Sequence, residues 1–338
     1  MKTMKRLVGL LLTGILTMGL ISGCGTGEEK GTDGSKDLPK IGIIQYIEHP
    51  SLDTIRENII SGLKEAGYED GKNCEIDYKN AQGDQNIANS IVQAFAGDEK
   101  DVVVAIATPV AQAAATISNQ IPVVFSAVTD PVAAKLVTAM DVTDKNITGT
   151  SDVVQVDKIL DLAKEFVPDM KKLGFLYSTG ESNSVSNLEK AKEYCEANGI
   201  TLVETGISNS SEVQQAVQVL ASKVDAIFIP NDNTIASAMQ AVSSETIKAG
   251  VPVFTGADSM VGDGGLATNG IQYEDLGKET AKMVAEILKG TKVSDLPVKV
   301  FDQDLSIFVN ENTAKALDIT IPDSIKNSEK YVVKNSND

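Results

Sequence analysis

The chain has no tryptophan and a single histidine, His49, among 338 residues. One histidine and no cysteine cluster argue against a dedicated zinc site, since such sites are built mainly from Cys and His ligands. They also leave His49 as the sole base for a hydrolase triad, and no G-x-S-x-G motif accompanies it. Cysteine is scarce: Cys24, Cys74 and Cys195 are the three present. The spacing of Cys74 and Cys195 matches no disulfide framework, so the sequence leaves a bridge between them open. Arginine occurs only at Arg6 and Arg56. Arginine is the preferred bidentate clamp for a carboxylate. A carboxylate ligand here would therefore be held by hydroxyls and backbone N–H groups. Nucleotide fingerprints are missing too: there is no G-x-x-x-x-G-K-[ST] and no G-x-G-x-x-G. Gly262-Asp263-Gly264-Gly265 is turn-rich but lacks the right helix after it. No two side chains make a nucleophile and its base. No catalytic residue, metal or cofactor is expected.

Positive charge is also in short supply. The formal charge is −17. Loss of residues 1–23, with Lys2, Lys5 and Arg6, would take it to −20. So acidic a chain repels phosphate backbones, which excludes nucleic acid as a partner, and it repels anionic headgroups as well.

What is present starts with a basic head (Lys2, Lys5, Arg6), then an uncharged apolar stretch over 7–20, then Ile21-Ser22-Gly23-Cys24. Charge, apolar core and small residues in that order make a secretory signal peptide over 1–23. Fourteen residues are fewer than the roughly 20 a spanning helix needs. The cysteine after the small residues resembles a bacterial lipobox. That resemblance implies lipid on the Cys24 sulfur, cleavage before it, and anchorage to the outer face of the cell membrane. Residues 24–39 are mostly Gly, Ser, Thr and charge, and read as a flexible tether.

From Lys40 short β-rich runs alternate with helical patterns. Strands are expected over 40–46, 74–79, 102–107, 122–125 and 147–150, and again over 173–177, 201–205, 226–229, 251–255 and 266–271. Helices fall between them. Ser51 can cap one carrying Leu52, Ile55, Ile59 and Leu63 on one face. A further helix over 276–288 and a strand-like run over 297–309 follow. The tail over 327–338 is polar and expected to be loose. Such alternation makes an α/β protein with parallel sheets covered by helices on both faces. The two halves echo each other: 101–107, a helix and 121–125 match 225–229, a helix and 251–254. Two similar lobes are expected. Some 300 residues after the signal also suit two domains better than one.

In open α/β sheets ligands sit beyond the carboxyl ends of strands. The polar loops there supply the candidates. Tyr46, Glu48 and His49 precede a helix start. Thr108-Pro109 opens another helix, where free N–H groups and a hydroxyl suit an anion. Ser126, Thr129 and Asp130 lie in a loop denser than capping needs. Glu181 and Asn183 follow in the second half, then Asp232, Asn233 and Asp258. Thr108, Ser126 and Thr129 are assigned to a ligand carboxylate. Asp232 or Asp258 is assigned to an ammonium; the sequence does not choose between them.

Several of these loops together resemble one family. They are Gln45…Glu48-His49-Pro50-Ser51-Leu52-Asp53, Ala107-Thr108-Pro109-Val110-Ala111-Gln112, the run 121–131, Asn146-Ile147-Thr148-Gly149, Gly180-Glu181-Ser182-Asn183-Ser184, and Ala267-Thr268-Asn269-Gly270-Ile271-Gln272-Tyr273. They resemble the substrate-binding lipoproteins of ABC importers, in the subgroup similar to tryptophan-binding proteins. The resemblance runs from about residue 40 to 322. It implies a type I periplasmic-binding-protein fold: two Rossmann-like, doubly wound lobes joined by a hinge. By analogy the amino-terminal lobe takes 40–150 and 274–295, and the carboxy-terminal lobe 151–273 and 296–326. It also implies capture of an amino acid, aromatic and with tryptophan favoured, with Tyr46 and Tyr273 lining its side-chain pocket. Delivery to a membrane permease with its ATPase would follow, by a monomer. The rival readings are an exported sensor for another small polar solute and an exported enzyme. A repressor core is excluded by the signal peptide and the missing DNA-binding headpiece.

Overall fold

The computed structural model describes residues 38–142 and 145–335. The expected signal peptide, Cys24 and most of the tether lie outside the described residues.

Thirteen strands are present among the described residues: β1 Lys40–Gln45, β2 Glu75–Asn80, β3 Val102–Ile106, β4 Val123–Ser126, β5 Ile147–Ser151, β6 Lys172–Ser178, β7 Thr201–Ile207, β8 Ala226–Ile229, β9 Val253–Thr255, β10 Ala267–Gly270, β11 Lys299–Val300, β12 Ser306–Val309 and β13 Tyr331–Val333. They form two sheets. One has the order β11-β5-β4-β3-β1-β2, the other β13-β12-β10-β9-β8-β6-β7. Every pairing is parallel except β10 with β12. Central strands such as β3 are buried along their whole length. That is why they read as unbroken runs of Val, Ile and Ala.

The helix Pro50–Glu65 buries Leu52, Ile55, Ile59 and Leu63, the face its spacing predicted. It packs on the helix Tyr273–Leu288 so closely that a Cβ on Gly277 would meet the Ile55 carbonyl at 2.6 Å. Ser126, Thr150 and Thr280 hydroxyls lie together beneath this helix pair, Ser126 Oγ and Thr280 Oγ1 2.8 Å apart.

The chain passes between the sheets after β5, after β10 and again between β11 and β12. Three details differ from expectation. Lys299–Val300 pairs with β5, so it extends the first sheet, although the sequence places 296–326 with the second lobe. The run over 297–309 is two strands, split by a turn around Asp304, where φ is +53°. The 327–338 segment is not loose throughout: Tyr331–Val333 pairs in parallel with β12. Cys74 and Cys195 are both buried as free thiols, in different hydrophobic clusters.

Candidate functional site

A pocket with about 320 Å³ of empty volume lies between the carboxyl ends of the two sheets. Its polar lining is His49, Ser51, Thr129, Asp152, Asn183, Asn231, Asp232, Asn233 and Tyr273. Its apolar lining is Leu52, Ala127, Ala236, Ala257 and Met260.

Asp152 is the centre of the polar cluster. It directly follows β5, is buried, and accepts hydrogen bonds from Thr129 Oγ1 at 3.1 Å, Asn231 Nδ2 at 2.8 Å and Tyr273 Oη at 3.0 Å. Burial pushes its carboxyl up to about 6, against the pull of those three donors. Asn231 also donates to Thr129 Oγ1 at 2.6 Å, while its own Oδ1 accepts from Asn187. The Asn231 amide therefore ties the second lobe to the first. Two further bridges cross the cleft: His49 Nε2 to Asn233 Oδ1 at 3.1 Å, and Ser51 Oγ to Ser259 Oγ. Thr129 is presented by a strained turn, since Ala127 sits at φ +56° just after β4.

The helix Pro50–Glu65 begins at this pocket. His49, its N-cap, makes no side-chain cap. The N–H groups of Ser51 and Leu52 belong to the first turn, where no intrahelical acceptor exists. Both residues line the pocket, and the helix start adds positive potential there.

Glu181 and Asp232 are buried acids with different work. Glu181 accepts from the backbone and side-chain N–H of Asn233, and from the N–H and hydroxyl of Thr234. Asp232 accepts from Ser178 N at 2.6 Å and Ser184 Oγ at 2.7 Å, and caps Ile235 N at 3.0 Å. Burial and the Glu181 charge push Asp232 up to about 8. Both acids brace the loops of the second lobe.

His49, Thr129, Asn183, Asp232, Asn233 and Tyr273 of the expected set line this pocket, and the rest lie elsewhere. Ser126 is turned under the Tyr273–Leu288 helix. Thr108 is buried at its own helix start, its hydroxyl without a partner. Tyr46 donates to the Gly83 carbonyl at 2.9 Å, and Asp130 caps Ala133 N at 2.9 Å. Glu48 is exposed in an outer groove. Glu181 is used up by the loop it braces. Asp258 lines a neighbouring cleft and pairs with Lys334 at 3.0 Å, so it already has its cation. Asp152 and Asn231 are missing from the expected set. Asp152 was findable, because it sits at a strand's carboxyl end like the other candidates.

Three comparisons bear on this arrangement. The family model for ABC transporter substrate binding proteins matches residues 40–333. The tyrosine-binding protein of Clostridioides difficile (strain R20291) is 40% identical over 322 residues, 93% of each chain. Among solved structures, an ABC domain in complex with L-Trp from Streptococcus pneumonia aligns with a TM-score of 0.83 at 39% identity, covering 87% of this chain and 100% of that one. A ligand-free, open substrate-binding protein with adhesive properties from Clostridium difficile reaches 0.67 at 42% identity, covering 89% and 100%. At near-equal identity, the chain is closer in shape to the liganded protein than to the open one. The direct bridges across the cleft agree with a closed arrangement.

Proposed function

The chain belongs to the ABC transporter substrate-binding proteins, and from that premise we propose that its pocket captures an amino acid with an aromatic side chain. The observation that carries this reading is Asp152: a buried carboxylate, held by three donors, at the junction of both lobes. A ligand ammonium is the natural partner for it, and would restore its ionised form. The ligand carboxylate is held by the N–H groups of Ser51 and Leu52 and by the Ser51 hydroxyl, which explains how an arginine-poor chain holds an anion. Leu52, Met260, Ala127, Ala236, Ala257 and the Tyr273 ring supply the apolar wall. The names of the tyrosine-binding and L-Trp-bound relatives support the aromatic choice.

Capture proceeds without chemistry. The ligand enters the open cleft, and the lobes close through the Asn231, His49 and Ser51 bridges. The closed monomer then docks on its permease. Members of this family work in the extracellular or periplasmic space. No helix among the described residues is long and apolar enough to cross a membrane. Lipid on Cys24 supplies the anchor in this reading, since one acyl chain alone binds a membrane only marginally and a lipoprotein cysteine carries more.

A thermal-shift series of the purified protein against the twenty amino acids tests the proposal. A ligand present at a hundred times its Kd stabilises by about 2.7 kcal/mol. The expected result is a rise in melting temperature with aromatic amino acids; no rise with any amino acid would overturn it.

A further inference from the structure

The pocket holds two buried acceptors that the protein leaves without partners, Nδ1 of His49 and Oδ1 of Asn183. Both residues line it, and they are only 7% and 3% exposed. That these atoms accept, and do not donate, follows from Glu181. A carboxylate only accepts, so the Asn233 side-chain N–H that lies 2.5 Å from Glu181 Oε2 fixes which way that amide points. Asn233 Oδ1 then faces His49, and the His49 Nε2 at 3.1 Å must carry the proton. Burial keeps the ring neutral, so Nδ1 is left with a bare lone pair. In Asn183 the amide N–H donates to the Asn231 carbonyl at 3.1 Å, which leaves Oδ1 as the open group. The Glu181–Asn233–His49 chain joins this end of the pocket into one network.

We propose that His49 Nδ1 and Asn183 Oδ1 read a hydrogen-bond donor on the ligand's side chain, so that the pocket selects aromatic amino acids bearing an O–H or N–H and rejects those without one. The inference rests on the amino-acid reading above, in which Asp152 takes the ammonium. Tyrosine offers a phenolic O–H and tryptophan an indole N–H. Phenylalanine has the same ammonium, the same carboxylate and an aromatic ring, but no donor. Binding it would seal two acceptors into a dry site unpaired, and a site built to hydrogen-bond a ligand discriminates strongly against the analogue lacking that group. Glu181 is a positioning residue in this scheme: it sets the Asn233 amide, which sets the His49 tautomer.

Calorimetric titration of the purified protein with L-tyrosine, L-tryptophan and L-phenylalanine tests this. Phenylalanine is expected to bind about ten- to a hundredfold more weakly than the better of the other two. His49→Leu and Asn183→Ala should each shrink that ratio, by weakening the donor-bearing ligand more than they weaken phenylalanine. A phenylalanine affinity within about threefold of both others would overturn the inference and leave the amino-acid reading standing. A ratio unchanged in both variants would also overturn it, since the discrimination would then lie elsewhere. Failure of all three ligands to bind would overturn both readings together. The wild-type series decides the matter even if neither variant folds.

Discussion

The Tyr273 hydroxyl donates to Asp152 Oδ2 at 3.0 Å, joining two segments that each lead from one sheet to the other. Asp152 follows β5, and Tyr273 opens the helix that returns the chain after β10. The acid proposed to hold the ligand is thus built into the hinge, where ligand binding and lobe closure meet. Asp152→Asn keeps the size of the side chain and removes its charge. Loss of a charge-assisted hydrogen bond in a buried site is worth roughly 1.5–3 kcal/mol, so affinity for an amino acid should drop by about ten- to 150-fold. Calorimetric titration checks this, and an unchanged Kd would remove Asp152 from the site.

The same residue predicts a pH profile. An ammonium needs the ionised carboxylate, and Asp152 titrates near 6 in the empty pocket. Affinity should be flat above about pH 7 and weaken toward tenfold per pH unit below 6. The empty protein should respond in the opposite sense. An acid whose folded value is raised contributes stability that is complete below its ordinary 3.8 and is lost as pH rises through about 6. For Asp152 the full span corresponds to about 3 kcal/mol. Asp232, raised to about 8 by burial and by Glu181, extends the loss to higher pH. Melting temperatures measured with and without ligand from pH 5 to 8 would show the two curves move apart as pH rises, with the ligand-induced rise larger at pH 8 than at pH 5.

Gly256 directly follows β9 and packs against Asn231. A Cβ at Gly256 would collide with the Asn231 N and the Pro230 carbonyl carbon. Neither is the movable end of a side chain, so Gly256→Ala must displace the loop that carries Asn231. The cost in stability is expected to be about 1–3 kcal/mol, as for other overpacked contacts. A larger signature is expected in binding, because Asn231 donates to both Thr129 and Asp152 across the cleft. Gly277→Ala, which crowds the Ile55 carbonyl away from the pocket, serves as the comparison. It should lower the melting temperature while sparing Kd.

Most of the fold could be foreseen because buried parallel strands and one-sided helices leave strong periodic marks, as in Val102–Ile106 and Pro50–Glu65. β13 could not, because its three residues are strand only by virtue of β12 beside them. The site was legible as a set of loops but not as a set of atoms. Which acid is free to meet a ligand depends on partners remote in sequence. Asp258 is neutralised by Lys334, which lies in the stretch expected to be loose, and Glu181 is filled by Asn233 and Thr234 from another loop. Asp152 has no such cation among the described residues, and only the folded arrangement reveals that. Ser126 misled for a similar reason: the last residue of β4 points beneath a helix contributed from far along the chain.

The proposed lipid anchor on Cys24 makes a prediction that separates capture from delivery. Cys24 lies some fifteen residues before β1, and a flexible segment of that length would span roughly 20 Å on average. Such a tether would leave the two-lobed body free to close while holding it near its permease. Cys24→Ser should therefore be shed into the medium with its pocket intact. Its Kd for the ligand should match that of the wild type, because the pocket is assembled wholly from residues 49–273. Cellular uptake of the radiolabelled amino acid should fall, most steeply at low ligand concentration, and membrane fractions should lose the protein. Undiminished uptake by the shed variant would show that closure and docking do not depend on tethering.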